Sequence, residues 1–253
     1  MLGTISCFLT VALHSSQDNT SNVDYKHGDT VLQGYLAKPK AGNDALKPGI
    51  LIIHDWDGVT EYERKRAQQL ADLGFVAFAA DIYGKENRPK NAQDNSRMAS
   101  IFYSDQQLFR DRLKAGLDAL KATPGVDPNR VAAIGYCFGG AGVLELARTG
   151  ADIKGVVSFH GSLQTKMPVQ EGVVKAKVMV IHAAQDPSVK RAQLDAFLDE
   201  MRDAKVDYQL VVYNLNTHPF TVFGGSGYNA DADRRSWKAM QDFFAEIFGP
   251  KVW

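Results

Sequence analysis

Gly135-Tyr136-Cys137-Phe138-Gly139-Gly140 stands between an apolar run, Arg130 to Ile134, and a stretch of helical periodicity, Ala141 to Arg148. The hexapeptide therefore reads as a tight turn from strand to helix with a cysteine at its apex. Flanking glycines let backbone and substrate approach closely, and a residue at such a turn is held in a strained conformation. The helix that follows aims its first N–H groups and the positive end of its dipole at the sulfur. This is the pattern of an exposed nucleophile, and it decides how the rest of the chain is read.

Outward from that turn, buried strands alternate with helices. Gly49 to Ile53, Phe75 to Ala80, Ile153 to Phe159, Lys177 to His182 and Tyr208 to Tyr213 are short apolar runs. Continuous apolar runs of this kind suit parallel strands covered on both faces. Thr30 to Ala37 alternates and opens the series. Helical periodicity covers Glu61 to Leu73, with Gly74 as its cap, and much of Ser96 to Lys121. It returns over Val189 to Ala204 and in a closing helix, Asp231 to Phe248. The expectation is an α/β fold: a mostly parallel central sheet with helices on both faces, formed by one domain over residues 23–253.

Composition narrows the function. The 253 residues carry 29 basic and 29 acidic side chains and no block of like charge, which argues against nucleic acid and anionic membrane as partners. Cys7 and Cys137 are too far apart in sequence for a metal-binding or redox motif, and both read as free thiols. Residues 1–22 form a leader whose apolar part, Ile5 to Leu13, has the length of an export signal but no basic start and no clean cleavage site. The protein is expected to be cytoplasmic, or periplasmic or secreted if that leader is an export signal.

In a sheet of this type, functional side chains collect at the carboxyl ends of strands. Cys137 ends one predicted strand, Asp186 follows Lys177 to His182, and His218 follows Tyr208 to Tyr213. Each has a plain structural counterpart: a small buried thiol, a helix-capping aspartate, a loop histidine. Together they give the order nucleophile, acid, histidine. A thiol is mostly protonated at neutral pH, a histidine can take its proton, and a carboxylate can fix the histidine tautomer. The N–H groups of Phe138 and Trp56 are the expected oxyanion donors. His54, His160 and His182 lie near strand ends without metal-ligand spacing and read as supporting or packing residues.

These segments resemble the dienelactone hydrolase family, cysteine-dependent α/β-hydrolases acting on carboxylic ester or lactone bonds. The resemblance spans about Val23 to Phe248. It is carried by Ile52-Ile53-His54-Asp55-Trp56-Asp57-Gly58, Ala80-Asp81-Ile82-Tyr83-Gly84-Lys85, Gly135 to Gly140, Phe159-His160-Gly161-Ser162, Asp186 and Thr217-His218-Pro219-Phe220. It implies a three-layer α/β-hydrolase fold, a triad of Cys137, Asp186 and His218, no cofactor or metal, and a small ester or lactone as substrate for a monomer or homodimer. Family members carry an acidic residue that activates the cysteine, and Asp55 matches that position with one methylene fewer. Their serine and arginine after the histidine are replaced here by Pro219 and Val222, so Arg97 is the substitute candidate for binding an anionic substrate group. The glycine-rich Val222 to Tyr228 is expected to be a mobile rim shaping the pocket. Two other classes fit the same residues: a non-catalytic small-molecule-binding protein on this scaffold, and a thiol redox sensor.

Overall fold

Apolar runs at the middle of the chain become the middle of the sheet. A computed structural model describes residues 19–40 and 45–249. The chain begins with a hairpin, β1 (Thr20–His27) and β2 (Thr30–Ala37), followed by β3 (Lys47–Ile53), α1 (Glu61–Asp72) and β4 (Val76–Ala80). Two helices come next, α2 (Ala92–Ser104) and α3 (Gln106–Lys121), then β5 (Val126–Tyr136), α4 (Phe138–Arg148) and β6 (Gly155–Phe159). The last elements are β7 (Lys177–Ala183), α5 (Arg191–Asp203), β8 (Tyr208–Tyr213) and α6 (Ala230–Phe248). The eight strands form one sheet in the order β1-β2-β4-β3-β5-β6-β7-β8. β1 and β2 pair antiparallel, β2 pairs antiparallel with β4, and every later pairing is parallel.

Alternation along the central strands separates two apolar layers. Leu51 and Ile53 of β3 face a core with Phe109 and Leu113 of α3, Val143 of α4 and Phe197 of α5. Ile50 and Ile52 face the other way, into a core with Leu70 of α1 and Met240 and Phe244 of α6. Helices thus cover both faces, in three layers, as expected for the α/β-hydrolase fold. Parallel strands ending at the same edge bring the loops after β3, β5, β7 and β8 together, and that edge holds the site.

Two expectations are refined. Thr20–His27 is a strand that the apolar pattern does not signal, because only Val23 and Tyr25 of this largely exposed edge pack against the core. It begins at Thr20, within the stretch assigned to the leader; residues 1–18, and Cys7 with them, lie outside the described residues. The helical periodicity of Ser96 to Lys121 belongs to two helices that meet at Asp105. That residue has φ −110° and ψ 85°, ends α2, and caps α3 by accepting the Leu108 N–H at 2.9 Å. Apolar spacing continues through the corner because both helices pack on one layer.

Candidate active site

The turn after β5 is built by steric necessity. A Cβ on Gly135 would lie 2.0 Å from the Gly139 carbonyl oxygen, and one on Gly139 would lie 2.0 Å from that of Ile53. Helix α4 can start directly against β3 and β5 only with hydrogens at those positions. Cys137 takes φ 50° and ψ −107°, a left-handed strain that bulky residues rarely accept. Its N–H donates to the Phe159 carbonyl at 3.0 Å, anchoring the turn to β6.

His218 stands between sulfur and carboxylate. Its Nε2 is 3.0 Å from Cys137 Sγ, and its Nδ1 is 2.8 Å from Asp186 Oδ2. The Asp186 side chain is fully buried, and its Oδ1 accepts the Ser188 N–H at 2.8 Å. An ionised carboxylate only accepts, so a neutral His218 carries its proton on Nδ1 and turns the Nε2 lone pair toward the thiol. Burial pushes the Cys137 thiol well above its ordinary range, and the nearby Asp55 carboxylate raises it further; the Phe138 N–H, directed at the sulfur, opposes both. The resting sulfur is therefore a protonated thiol beside a proton acceptor.

Asp55 reaches the cysteine despite its short side chain. Its carboxyl faces the thiol closely enough to exchange a hydrogen bond, while burial raises its own pKa. The same carboxyl occupies a second group: Oδ1 accepts the Trp56 N–H at 2.5 Å. The N–H expected at the oxyanion position is thus engaged within the loop, because aspartate folds back on the next amide. Beneath it lies Glu63, fully buried, which accepts the Asp55 N–H at 3.1 Å and the Thr60 N–H at 2.9 Å. Burial, assisted by Asp57, pushes Glu63 up to about 7. Sequence reasoning missed Glu63, although Thr60-x-x-Glu63 spells a capping box at the start of α1.

Cys137, His218 and Asp55 open onto a cleft of about 820 Å³. Trp56, Tyr103, Val189 and Pro219 supply apolar wall, and Gln164 and Gln193 are among its neutral polar residues. Arg97 does not join them. Its guanidinium pairs with Asp94 on the same helix at 3.3 Å and is 63% exposed, since α2 turns that face outward. The glycine-rich stretch, expected as a pocket rim, packs behind the histidine instead. Gly227 lies against Thr217 and Pro219, and Phe223 lies against Tyr62 and beneath Arg66.

The other histidines buttress this arrangement. His54 Nε2 accepts the Ile82 N–H at 3.1 Å, so its Nδ1 holds the proton donated to the Asp55 carbonyl at 2.6 Å; burial keeps it neutral. His160, at φ 41°, sets its ring edge-on to His218 at 5.3 Å and shares a hydrogen bond with Thr221 Oγ1 at 2.8 Å. Burial also depresses His160 and His182. Thr221 further joins the Tyr62 hydroxyl at 2.7 Å, and its carbonyl accepts from Arg66 at 3.1 Å. Arg66, 2% exposed, pairs with Asp233 of α6. Nothing in the local sequence marks Arg66 or Thr221, because their partners lie far along the chain. No cluster of three or more His, Cys, Asp or Glu suited to a metal ion occurs among the described residues, and no helix among them is long and apolar enough to cross a membrane.

Comparison with known proteins agrees with this architecture. The crystal structure of P91, a dienelactone hydrolase-like promiscuous phosphotriesterase from metagenomic libraries, is 39% identical and superposes with a TM-score of 0.83 over 90% of this chain and 98% of that one. The structure named m3DLH is 34% identical, with a TM-score of 0.85 over 90% of this chain and 98% of that one. Protein usf of Aquifex pyrophilus is 28% identical over 203 residues, covering 78% of this chain and 85% of that one. Residues 32–248 match the profile of the Dienelactone hydrolase family, so the chain belongs to that family and has its α/β-hydrolase fold.

Proposed function

We propose that this protein hydrolyses small carboxylic esters or lactones through an acyl-thioester on Cys137, without a cofactor. The observation that carries the reading is the continuous contact from Asp186 through His218 to the Cys137 sulfur, at 2.8 and 3.0 Å. His218 Nε2 takes the thiol proton as sulfur attacks the carbonyl carbon. The carbonyl π pair moves to oxygen, forming a tetrahedral oxyanion near the Phe138 N–H. Collapse expels the alcohol, which leaves with the proton from His218. Water then attacks the thioester carbon as His218 takes its proton; the C–S bond breaks, the sulfur regains that proton from His218, and the acid departs. Asp186 holds the imidazole tautomer and stabilises the imidazolium at each stage. Asp55 raises the resting thiol and so keeps it unreactive until substrate displaces the carboxyl.

Cys137→Ala is the direct test. It is expected to abolish turnover of a p-nitrophenyl short-chain ester with an unchanged circular dichroism spectrum. In the wild type, intact-mass spectrometry during turnover should show an acyl adduct at Cys137. Full activity of the variant, or wild-type turnover with no adduct under rapid quench, sinks the proposal. The similarity to P91 supports a second substrate class, phosphotriesters, for the same thiol and cleft; a p-nitrophenyl phosphotriester assayed beside the ester compares the two.

A further inference from the structure

Resting on the ester-cleaving reading, one of the two backbone amides expected at the developing oxyanion is already engaged in the resting fold. Of the two backbone amides expected there, the Trp56 N–H is held by Asp55 Oδ1 at 2.5 Å. The Phe138 N–H is directed at the sulfur side of the turn. A buried oxyanion usually needs two or more donors.

Tyr103 lines the same cleft as Cys137 and His218. It sits in the last turn of α2, which Asp105 stops, so the side chain is delivered to the cleft instead of being continued into a longer helix. Its ring meets the Phe138 ring edge-on at 5.5 Å, directly beside the nucleophile turn, and the residue is 38% exposed. Tyr83 donates to the Trp56 carbonyl at 3.0 Å, Tyr62 joins Thr221 at 2.7 Å, and Tyr25 donates to the Asp81 carbonyl at 2.6 Å, while Tyr136, whose buried hydroxyl has no partner, does not line the cleft. Among the described residues the Tyr103 hydroxyl has no such partner. Burial first, then the charges of Cys137 and Asp55, raise this phenol, so it remains an O–H donor at any working pH. The plainer interpretation is an aromatic wall whose hydroxyl is incidental, and the two differ in what they predict for a carbonyl reaction.

We propose that Tyr103 is a catalytic residue of this site, its hydroxyl donating a hydrogen bond to the substrate carbonyl oxygen as that oxygen becomes the oxyanion. The Sγ–C bond forms, the π pair moves to oxygen, and the thiol proton passes to His218 Nε2. The phenolic proton stays on Tyr103 throughout. Phe138 N–H is the companion donor, and Trp56 N–H can add to them once Asp55 leaves it.

The test pairs two reactions of the same sulfur in wild type and Tyr103→Phe. Acylation by p-nitrophenyl acetate builds an oxyanion; alkylation by iodoacetamide does not. Since the hydroxyl lacks a partner in the resting fold, the variant should melt like the wild type. The acylation rate constant is expected to fall about 10²-fold, the typical effect of losing one oxyanion donor, with alkylation within about twofold of wild type. Unchanged acylation, a raised KM at constant acylation rate, or equal slowing of both reactions overturns the assignment. If the wild-type protein forms no acetyl adduct on Cys137, the ester-cleaving reading fails first, a result distinct from an adduct that forms equally fast in both proteins.

Discussion

One sulfur and two carboxylates set the resting state at the residue scale. Asp186 orients the imidazole that takes the thiol proton, whereas Asp55 acts on Cys137 directly; the charge of each carboxylate raises the thiol, that of Asp55 more. A negative charge beside a thiol opposes its ionisation, so the thiol is raised in the presence of Asp55. Asp55→Asn retains an oxygen for the Trp56 N–H and removes the charge. The thiol pKa should therefore fall, and the pH profile of iodoacetamide alkylation should shift to lower pH with a faster rate at neutral pH. An unshifted profile would show that the carboxyl is already protonated or does not reach the sulfur. The strain at Cys137 belongs to this scale too, since the φ of 50° is enforced by glycines that no side chain can replace without collision.

At the scale of elements, the segment between β8 and α6 carries His218 on a loop, and loops wander unless tied. Three ties converge on Thr221, from Tyr62 and Arg66 of α1 and from His160 after β6. Arg66 also bridges to Asp233 in the first turn of α6. Arg66→Met leaves Asp233 buried without its cation, a change that typically costs about 3–5 kcal/mol. The expected result is a lowered denaturation midpoint together with a reduced kcat, because the imidazole loses its reference to the sulfur. Arg66→Met combined with Asp233→Leu should recover most of the stability and little of the kcat. Recovery of both would mean that the pair only holds the fold.

Across the whole molecule, the parallel strands deliver the chemistry and the antiparallel hairpin finishes the edge. β1 covers β2 along its length, from Thr20 opposite Ala37 to His27 opposite Thr30. Tyr25 is its anchor: the ring lies edge-on to Phe78 at 5.5 Å, and the hydroxyl donates to the Asp81 carbonyl at the end of β4. Tyr25→Ala removes a half-buried ring and a hydrogen bond, and should cost about 3 kcal/mol. Urea denaturation will measure it. Esterase activity per folded molecule should be unchanged, because the site lies at the other strands' ends. A variant that lost activity in proportion to stability at low urea would show that the hairpin supports the cleft.

Much of this was legible in the sequence for identifiable reasons. Buried parallel strands leave continuous apolar runs, and β3, β4, β6, β7 and β8 each appear as one. The turn at Cys137 is legible because its glycines are demanded by contacts within a few residues and across to β3. Asp186 and His218 could be placed because each follows an apolar strand, and their meeting at Cys137 needed only the rule that strand ends converge. β1 escaped notice because an exposed edge strand carries a single half-apolar face. The corner at Asp105 escaped because both helices pack on one layer and share a periodicity. Arg66 with Asp233, Thr221 with His160, the engaged Trp56 N–H and the outward turn of Arg97 were decided by the tertiary structure alone. Local sequence records which atoms a residue needs near it, in the form of glycines, caps and apolar spacing. It does not record which distant group will satisfy a polar atom, because that choice is made by packing between segments that are strangers until the chain is folded.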